Sequence, residues 1–98
     1  MSAFAYVRQY LSSEGINHFR EVYREHKQRV ALHEGFVSLR HLLPLDESLP
    51  NEVVTLLEFS DKALMLRWRG SDDHTWVAAQ YGRWWVKPPE MLLYSSEE

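Results

Sequence analysis

Residues 4–11 (FAYVRQYL) alternate with a period of two, setting Phe4, Tyr6, Arg8 and Tyr10 on one side and Ala5, Val7, Gln9 and Leu11 on the other. Neither side is wholly polar, as expected of a strand covered on both faces. Residues 12–15 carry turn chemistry. From Ile16 the period lengthens, and Ile16, Phe19, Val22, Tyr23, His26, Val30 and His33 share one side of a helix that Gly35 ends. On its wet side Glu25 and Arg29 are spaced for an i,i+4 ion pair. Two more strands, residues 36–43 (FVSLRHLL) and 53–59 (VVTLLEF), flank the acidic loop from Pro44 to Pro50 and are expected to pair as an antiparallel hairpin.

Ser60 reads as the cap of a short helix with Asp61 in its first turn and Leu64, Met65 and Trp68 as its apolar stripe. Gly70 and Ser71 read as the glycine that ends that helix and the serine that caps the next, with Asp72 and Asp73 complementing its positive end. Trp76, Val77, Tyr81 and Trp84 then fall on one helical face. Pro88 and Pro89 force the chain to leave extended into a final strand, residues 91–94 (MLLY), before the polar tail 95–98. The order predicts an α+β, ferredoxin-like βαββαβ fold with an antiparallel sheet, a single domain over residues 1–98. Helices cover one face of such a sheet. The other face carries apolar side chains and needs a cover, most simply a second copy of the chain in a homodimer that forms an α+β barrel.

Composition narrows the functional classes. No apolar run approaches the roughly 20 residues of a membrane helix, and no secretion signal opens the chain, so the expectation is a cytoplasmic protein with no membrane partner. The absence of cysteine removes disulfides, thiolate nucleophiles and thiolate-held metals together. A net charge of -3 leaves no electrostatic footprint for nucleic acid. His18, His26 and His33 stand eight and seven residues apart, so no i,i+4 chelating pair argues for a metal. There is no glycine-rich phosphate loop.

The phrases YREHKQRVALHEGFVSLR, LLEFSDKAL, WRGSDDH and YGRWWVKPPEMLLY, with the element order, resemble the antibiotic biosynthesis monooxygenase family over nearly the full length. That family consists of small dimeric α+β barrels and includes cofactor-free, quinone-forming oxygenases. In its haem-degrading branch a first-strand asparagine, a second-helix tryptophan and a histidine beyond it hold the haem. Here Trp68 fits the tryptophan, whereas Ala78 stands at the histidine's place and Arg8 near the asparagine's. In the anthrone-oxidising branch an asparagine precedes the tryptophan where this chain has Leu64, and His74 stands near that branch's tyrosine.

The resemblance implies an oxidoreductase that needs no cofactor and acts with O2 on a small reduced aromatic such as a hydroquinone, anthrone or catechol. Such chemistry requires a base, an anion stabiliser and apolar walls. His74 is the candidate base, because its ordinary pKa lies near neutrality and it sits in a helix's first turn; the helix end disfavours its charged form while Asp72 and Asp73 favour it. Arg8 is the candidate anion stabiliser if its side of the first strand faces the helices. A one-residue slip puts Val7 and Gln9 there and sends Arg8 to the interface or to solvent. Trp68, Tyr81 and Trp84 are the candidate wall, with Leu64 and Tyr6 beside them. A non-catalytic dimer of the same fold that binds a small molecule or supports a pathway partner, with these aromatics as core, is the alternative.

Overall fold

The computed structural model describes residues 1–49 and 51–97; Pro50, the expected end of the acidic loop, and Glu98, the last residue of the expected tail, lie outside the described residues. Four strands, β1 (Ala3–Tyr10), β2 (Phe36–Leu42), β3 (Glu52–Phe59) and β4 (Glu90–Ser95), form one antiparallel sheet in the order β2-β3-β1-β4. Three helices, α1 (Ser13–Ala31), α2 (Lys62–Arg69) and α3 (Asp72–Gly82), complete the ferredoxin-like α+β fold. β1 and β3 are the central pair, and their register sets Ala5 opposite Leu57 and Val7 opposite Thr55.

The odd-numbered residues of β1 face the helices. Ala3, Ala5 and Gln9 are buried there with Val53, Thr55, Leu57 and Phe59 of β3. This corrects the expectation that Arg8 lies beneath the helices. Small side chains at positions 3 and 5 let the helices approach the sheet, whereas the bulk of Phe4, Tyr6 and Tyr10 is accommodated on the open side. Arg8 therefore stands on the outer face, where its Nε lies 3.4 Å from Glu52 and its Nη1 3.5 Å from Glu90. Val54 and Leu56 share that face by their register with Arg8 and Tyr6, as do Leu92 and Tyr94, which are half exposed.

Three local contacts set the helices. Ser12 caps α1 by accepting a hydrogen bond from Gly15 N at 3.2 Å, so the helix begins three residues before Ile16, and it buries Phe19, Val22, His26 and Val30. Asp61, one residue later than expected, caps α2 by accepting from Leu64 N at 2.9 Å. Ser60 stands one residue outside the helix, where its N–H donates to the carbonyl of Gly35, 2.7 Å away, at the turn where Gly35 takes φ +88°. Ser71 caps α3 as expected, accepting from His74 N and donating to the carbonyl of Trp68 at 2.6 Å, which joins α2 to α3 in one tight corner. Gly70 makes that corner with φ -90°, without the left-handed conformation its position suggested.

Beyond α3 the chain crosses the end of β1: Ser12 N donates to Trp84 O, Val86 N donates to Tyr10 O, and Leu11 and Trp85 form a bridge. The core runs between sheet and helices through Phe19, Val30, Val53, Phe59, Met65, Trp68 and Tyr81. Among the described residues no helix is long and apolar enough to cross a membrane.

Candidate functional site

A cavity of about 240 Å³ opens between the sheet and the α2–α3 pair. Its floor is Ala5 and Val7 of β1 with Thr55 and Leu57 of β3; Trp68, His74, Val77 and Ala78 roof it, and Trp85, Pro89 and Met91 close one end. The volume follows from small side chains, alanine or valine, set above and below it where a core usually interdigitates. It lies under the roughly 300–1,000 Å³ of sites for drug-sized molecules, which suits a small ring.

Trp68 is almost wholly buried, 1% exposed, and three imidazoles surround it. His26 lies parallel to the indole at 6.0 Å between centroids, while His74 at 5.6 Å and His33 at 4.8 Å meet it edge-on. Behind this group, Asp73 anchors the start of α3 to α1. Its carboxylate lies 2.9 Å from His33 Nε2 and accepts from Arg29 at 2.8 Å, partners that hold its pKa below the usual carboxylate range. Arg29 also pairs with Glu25 at 3.0 Å, as the spacing predicted, and lies 4.0 Å above the Trp76 ring.

His74 borders the cavity with its pKa pushed down, first by burial and then by the positive charge of Arg69. It is therefore neutral at neutral pH, with a ring nitrogen free to accept a proton. Arg69 also lines the cavity, its guanidinium against the sulfur of Met91, and forms no ion pair with any described residue.

Deeper in, the Tyr81 hydroxyl lies between two imidazoles, 3.3 Å from His26 Nδ1 and 3.2 Å from His41 Nε2. Burial, aided by His41 and His74, lowers the His26 pKa to about 3; burial and Arg20 lower His41 to about 4; burial raises Tyr81 far above an ordinary phenol. All three are neutral across the physiological range. At the opposite end, Trp85 Nε1 donates to Gln9 Oε1 at 2.8 Å, and Gln9 Nε2 reaches toward Thr55 Oγ1 at 3.5 Å.

Of the residues singled out in the sequence, His74, Trp68 and Tyr81 meet at this cavity. Four do not. Arg8 and Tyr6 are on the outer face, where Arg8 Nη2 donates to Tyr6 Oη at 3.3 Å. Trp84 packs in the core against Gly15, because α3 ends at Gly82 and the helical spacing that aligned Trp84 with Tyr81 no longer applies. Leu64 turns toward Gly35, away from the cavity. Conversely His26, Gln9, Arg69 and Trp85 were passed over, although a histidine inside an apolar helical stripe and a glutamine inside a strand's apolar side were both visible signals.

No family sequence model matches the chain, and no curated protein matches it by sequence. Solved structures do match by fold. A conserved protein from Methanosarcina mazei Go1 superposes with a TM-score of 0.88 at 14% identity, covering 99% of this chain and 94% of that one. SnoaB, a cofactor-independent oxygenase from Streptomyces nogalater, gives 0.84 at 16% identity over 99% and 94% of the two chains. A structure named as an antibiotic biosynthesis monooxygenase gives 0.81 at 14% identity over 98% and 99%. The chain has the fold of these proteins, two of which are named as oxygenases. At such identities the likeness covers backbone architecture, and the site must be argued from this chain's own side chains.

Proposed function

We propose that the protein is a cofactor-independent monooxygenase that oxidises a small hydroxylated aromatic, of hydroquinone or catechol size, with O2. The observation that carries this reading is the cavity itself: an apolar slot beside Trp68 that holds a neutral imidazole, His74, next to an unpaired guanidinium, Arg69. A reduced ring bound against Trp68 would lose its hydroxyl proton to His74 while Arg69 stabilises the anion. The electron-rich anion then reacts with O2. One oxygen atom is retained on a ring carbon of the quinone product, as its hydroxyl group when a hydroquinone or catechol is oxidised, and the other leaves as water with two hydrogens removed from the substrate. All four electrons come from the substrate, so no external reductant enters. A cavity of about 240 Å³ favours one or two rings over a three-ring anthrone. Ala78 contributes only a methyl group to the wall at the place where the resemblance puts a haem-ligating histidine.

The active form is proposed to be a homodimer of single-domain chains joined through the outer sheet face, closing the barrel. Support comes from Phe4, Tyr6, Val54, Leu56, Leu92 and Tyr94 on a face that no helix covers. The reaction is tested by oxygen uptake with a panel of hydroquinones, catechols and anthrones and no added metal, flavin or haem. Uptake with small members, quenched in proportion by removing His74, is the expected result. Saturable quenching of tryptophan fluorescence without uptake would replace the oxygenase with a binding protein of the same fold.

A further inference from the structure

The hydrogen-bonded row His41–Tyr81–His26 ends at the cavity, and its direction follows from its members. Tyr81 has one hydroxyl proton and two imidazole neighbours, so it donates to one and accepts from the other. In one arrangement the phenol donates to His41 Nε2. His41 then carries its proton on Nδ1, which is sealed from solvent with no hydrogen-bond partner among the described residues. A buried nitrogen without a partner is costly either way, but an orphaned N–H is the rarer of the two in folded proteins. In the other arrangement His41 Nε2–H donates to the Tyr81 oxygen and Tyr81 O–H donates to His26 Nδ1. The sealed Nδ1 of His41 is then a bare lone pair, and every N–H in the row has an acceptor except the last. That last one is on His26 Nε2, which has no partner among the described residues and is not among the sealed polar atoms. His26 lines the cavity, and with Nδ1 turned to Tyr81 its Nε2–H is the polar group the ring has left to offer a ligand there.

We propose that His26 is an oxyanion-binding residue of this cavity: its neutral Nε2–H donates to a phenolate or enolate oxygen of the bound ring, and Tyr81 and His41 are positioning residues that fix its tautomer. The three donors point the same way, each polarising the next toward the cavity, and a buried row of this kind strengthens its terminal donor. A neutral imidazole serves here because it stabilises developing negative charge without surrendering its proton to the medium. The parallel Trp68 ring keeps the imidazole plane fixed. The proposal rests on the oxygenase reading for the reaction only; the donor and its direction are properties of the chain alone.

Nitrogen-15 NMR of the uniformly labelled protein at neutral pH tests the direction without any substrate. Both His26 and His41, assigned by comparison with the His26→Gln and His41→Gln proteins, are expected in the Nε2–H tautomer. The Nδ1–H tautomer at His26 would overturn the proposal. Tyr81→Phe removes the donor to Nδ1, so His26 should become a mixture of tautomers; an unchanged tautomer would remove Tyr81 from its positioning role. The chromogenic phenol 4-nitrophenol tests the donor. Bound to the native protein it should ionise about one pH unit lower than when free, which is a tenfold preference for the phenolate. His26→Gln, which keeps an N–H donor, should retain most of that preference, and His26→Phe should lose the larger part of it and keep only the share that the Arg69 guanidinium supplies. A native protein that does not lower the midpoint, or a His26→Phe protein that lowers it equally, overturns the proposal. Failure of oxygen uptake with the tautomer and the phenolate preference intact would instead refute the oxygenase and leave the oxyanion site standing.

Discussion

The indole N–H of Trp85 donates to the side-chain oxygen of Gln9 at 2.8 Å, across 76 residues of sequence, and this bond closes one end of the cavity. Gln9 is buried to 3% exposure on a central strand, where its amide needs partners. Trp85→Phe keeps an aromatic ring, though a smaller one, and removes the donor, leaving the amide oxygen unpaired. The expected loss of stability is about 1–3 kcal/mol, read from urea unfolding. Gln9→Leu combined with Trp85→Phe should cost less than the two single changes added together, because each removes the other's unmet partner.

Gly15 lies where α1 meets the start of the crossing segment. A Cβ there would stand 2.6 Å from Trp84 Cβ and 3.1 Å from Leu11 Cβ, and neither neighbour is the far end of a flexible side chain. Although alanine favours helix more than glycine does, Gly15→Ala should destabilise the protein by about 1–3 kcal/mol through overpacking. A rise in thermal midpoint for this variant would show that the contact relaxes easily.

The order of elements was legible because each carries its own period, and a four-strand, three-helix sequence of periods fits few topologies. The face of β1 was not, since aromatic or apolar residues occupy both of its sides and the period alone does not say which is inward. What decided it was size: Ala3 and Ala5 permit close helix packing and Tyr6 does not. For a related reason Trp85, and not the expected Trp84, reaches the cavity. Helical spacing ends at Gly82, beyond which the backbone turns to bond with the end of β1. His26 lay in plain view on the apolar stripe of α1, but its meaning depends on Tyr81, 55 residues away, and on His41.

Acid should unfold the protein through its buried histidines. His26 and His41 have folded pKa values lowered from 6.5 to about 3 and about 4, so between those values and 6.5 the unfolded chain binds protons that the folded chain refuses. Stability therefore falls as pH drops through 6.5, by about 1.4 kcal/mol per pH unit for each histidine, and the loss levels off only as the folded values are reached. Asp73, with its lowered pKa, adds to the loss at the acid end of this window. Urea midpoints measured from pH 7 to pH 4.5 should decline steeply, and His41→Gln should flatten the curve.

The outer sheet face predicts an association that light scattering after size exclusion would detect as twice the 11.7 kDa chain. Leu56 and Val54 lie at its centre by register with Tyr6 and Arg8, flanked by the Arg8 pairs to Glu52 and Glu90. A charge at the centre of an apolar interface goes unpaired, so Leu56→Lys should yield folded monomers. A native protein that is monomeric at micromolar concentration would leave the face to some other cover.

If His74 is the base, its lowered pKa dictates the pH profile of the reaction. The ring is neutral at neutral pH and takes up a proton only at pH values more acid than an ordinary histidine. The rate should therefore hold level as pH falls through 6.5 and decline only in more acid solution, provided the protein remains folded there. Arg69 shares responsibility for the shift, so Arg69→Gln should move that decline toward higher pH while weakening anion binding. His74→Ala should lower the turnover rate about 100-fold or more at neutral pH, the usual worth of a positioned base. Trp68→Phe should chiefly raise KM, since it trims a stacking wall and leaves the proton acceptor in place. A profile with its acid limb unmoved in Arg69→Gln, together with undiminished uptake in His74→Ala, would transfer the base role away from His74.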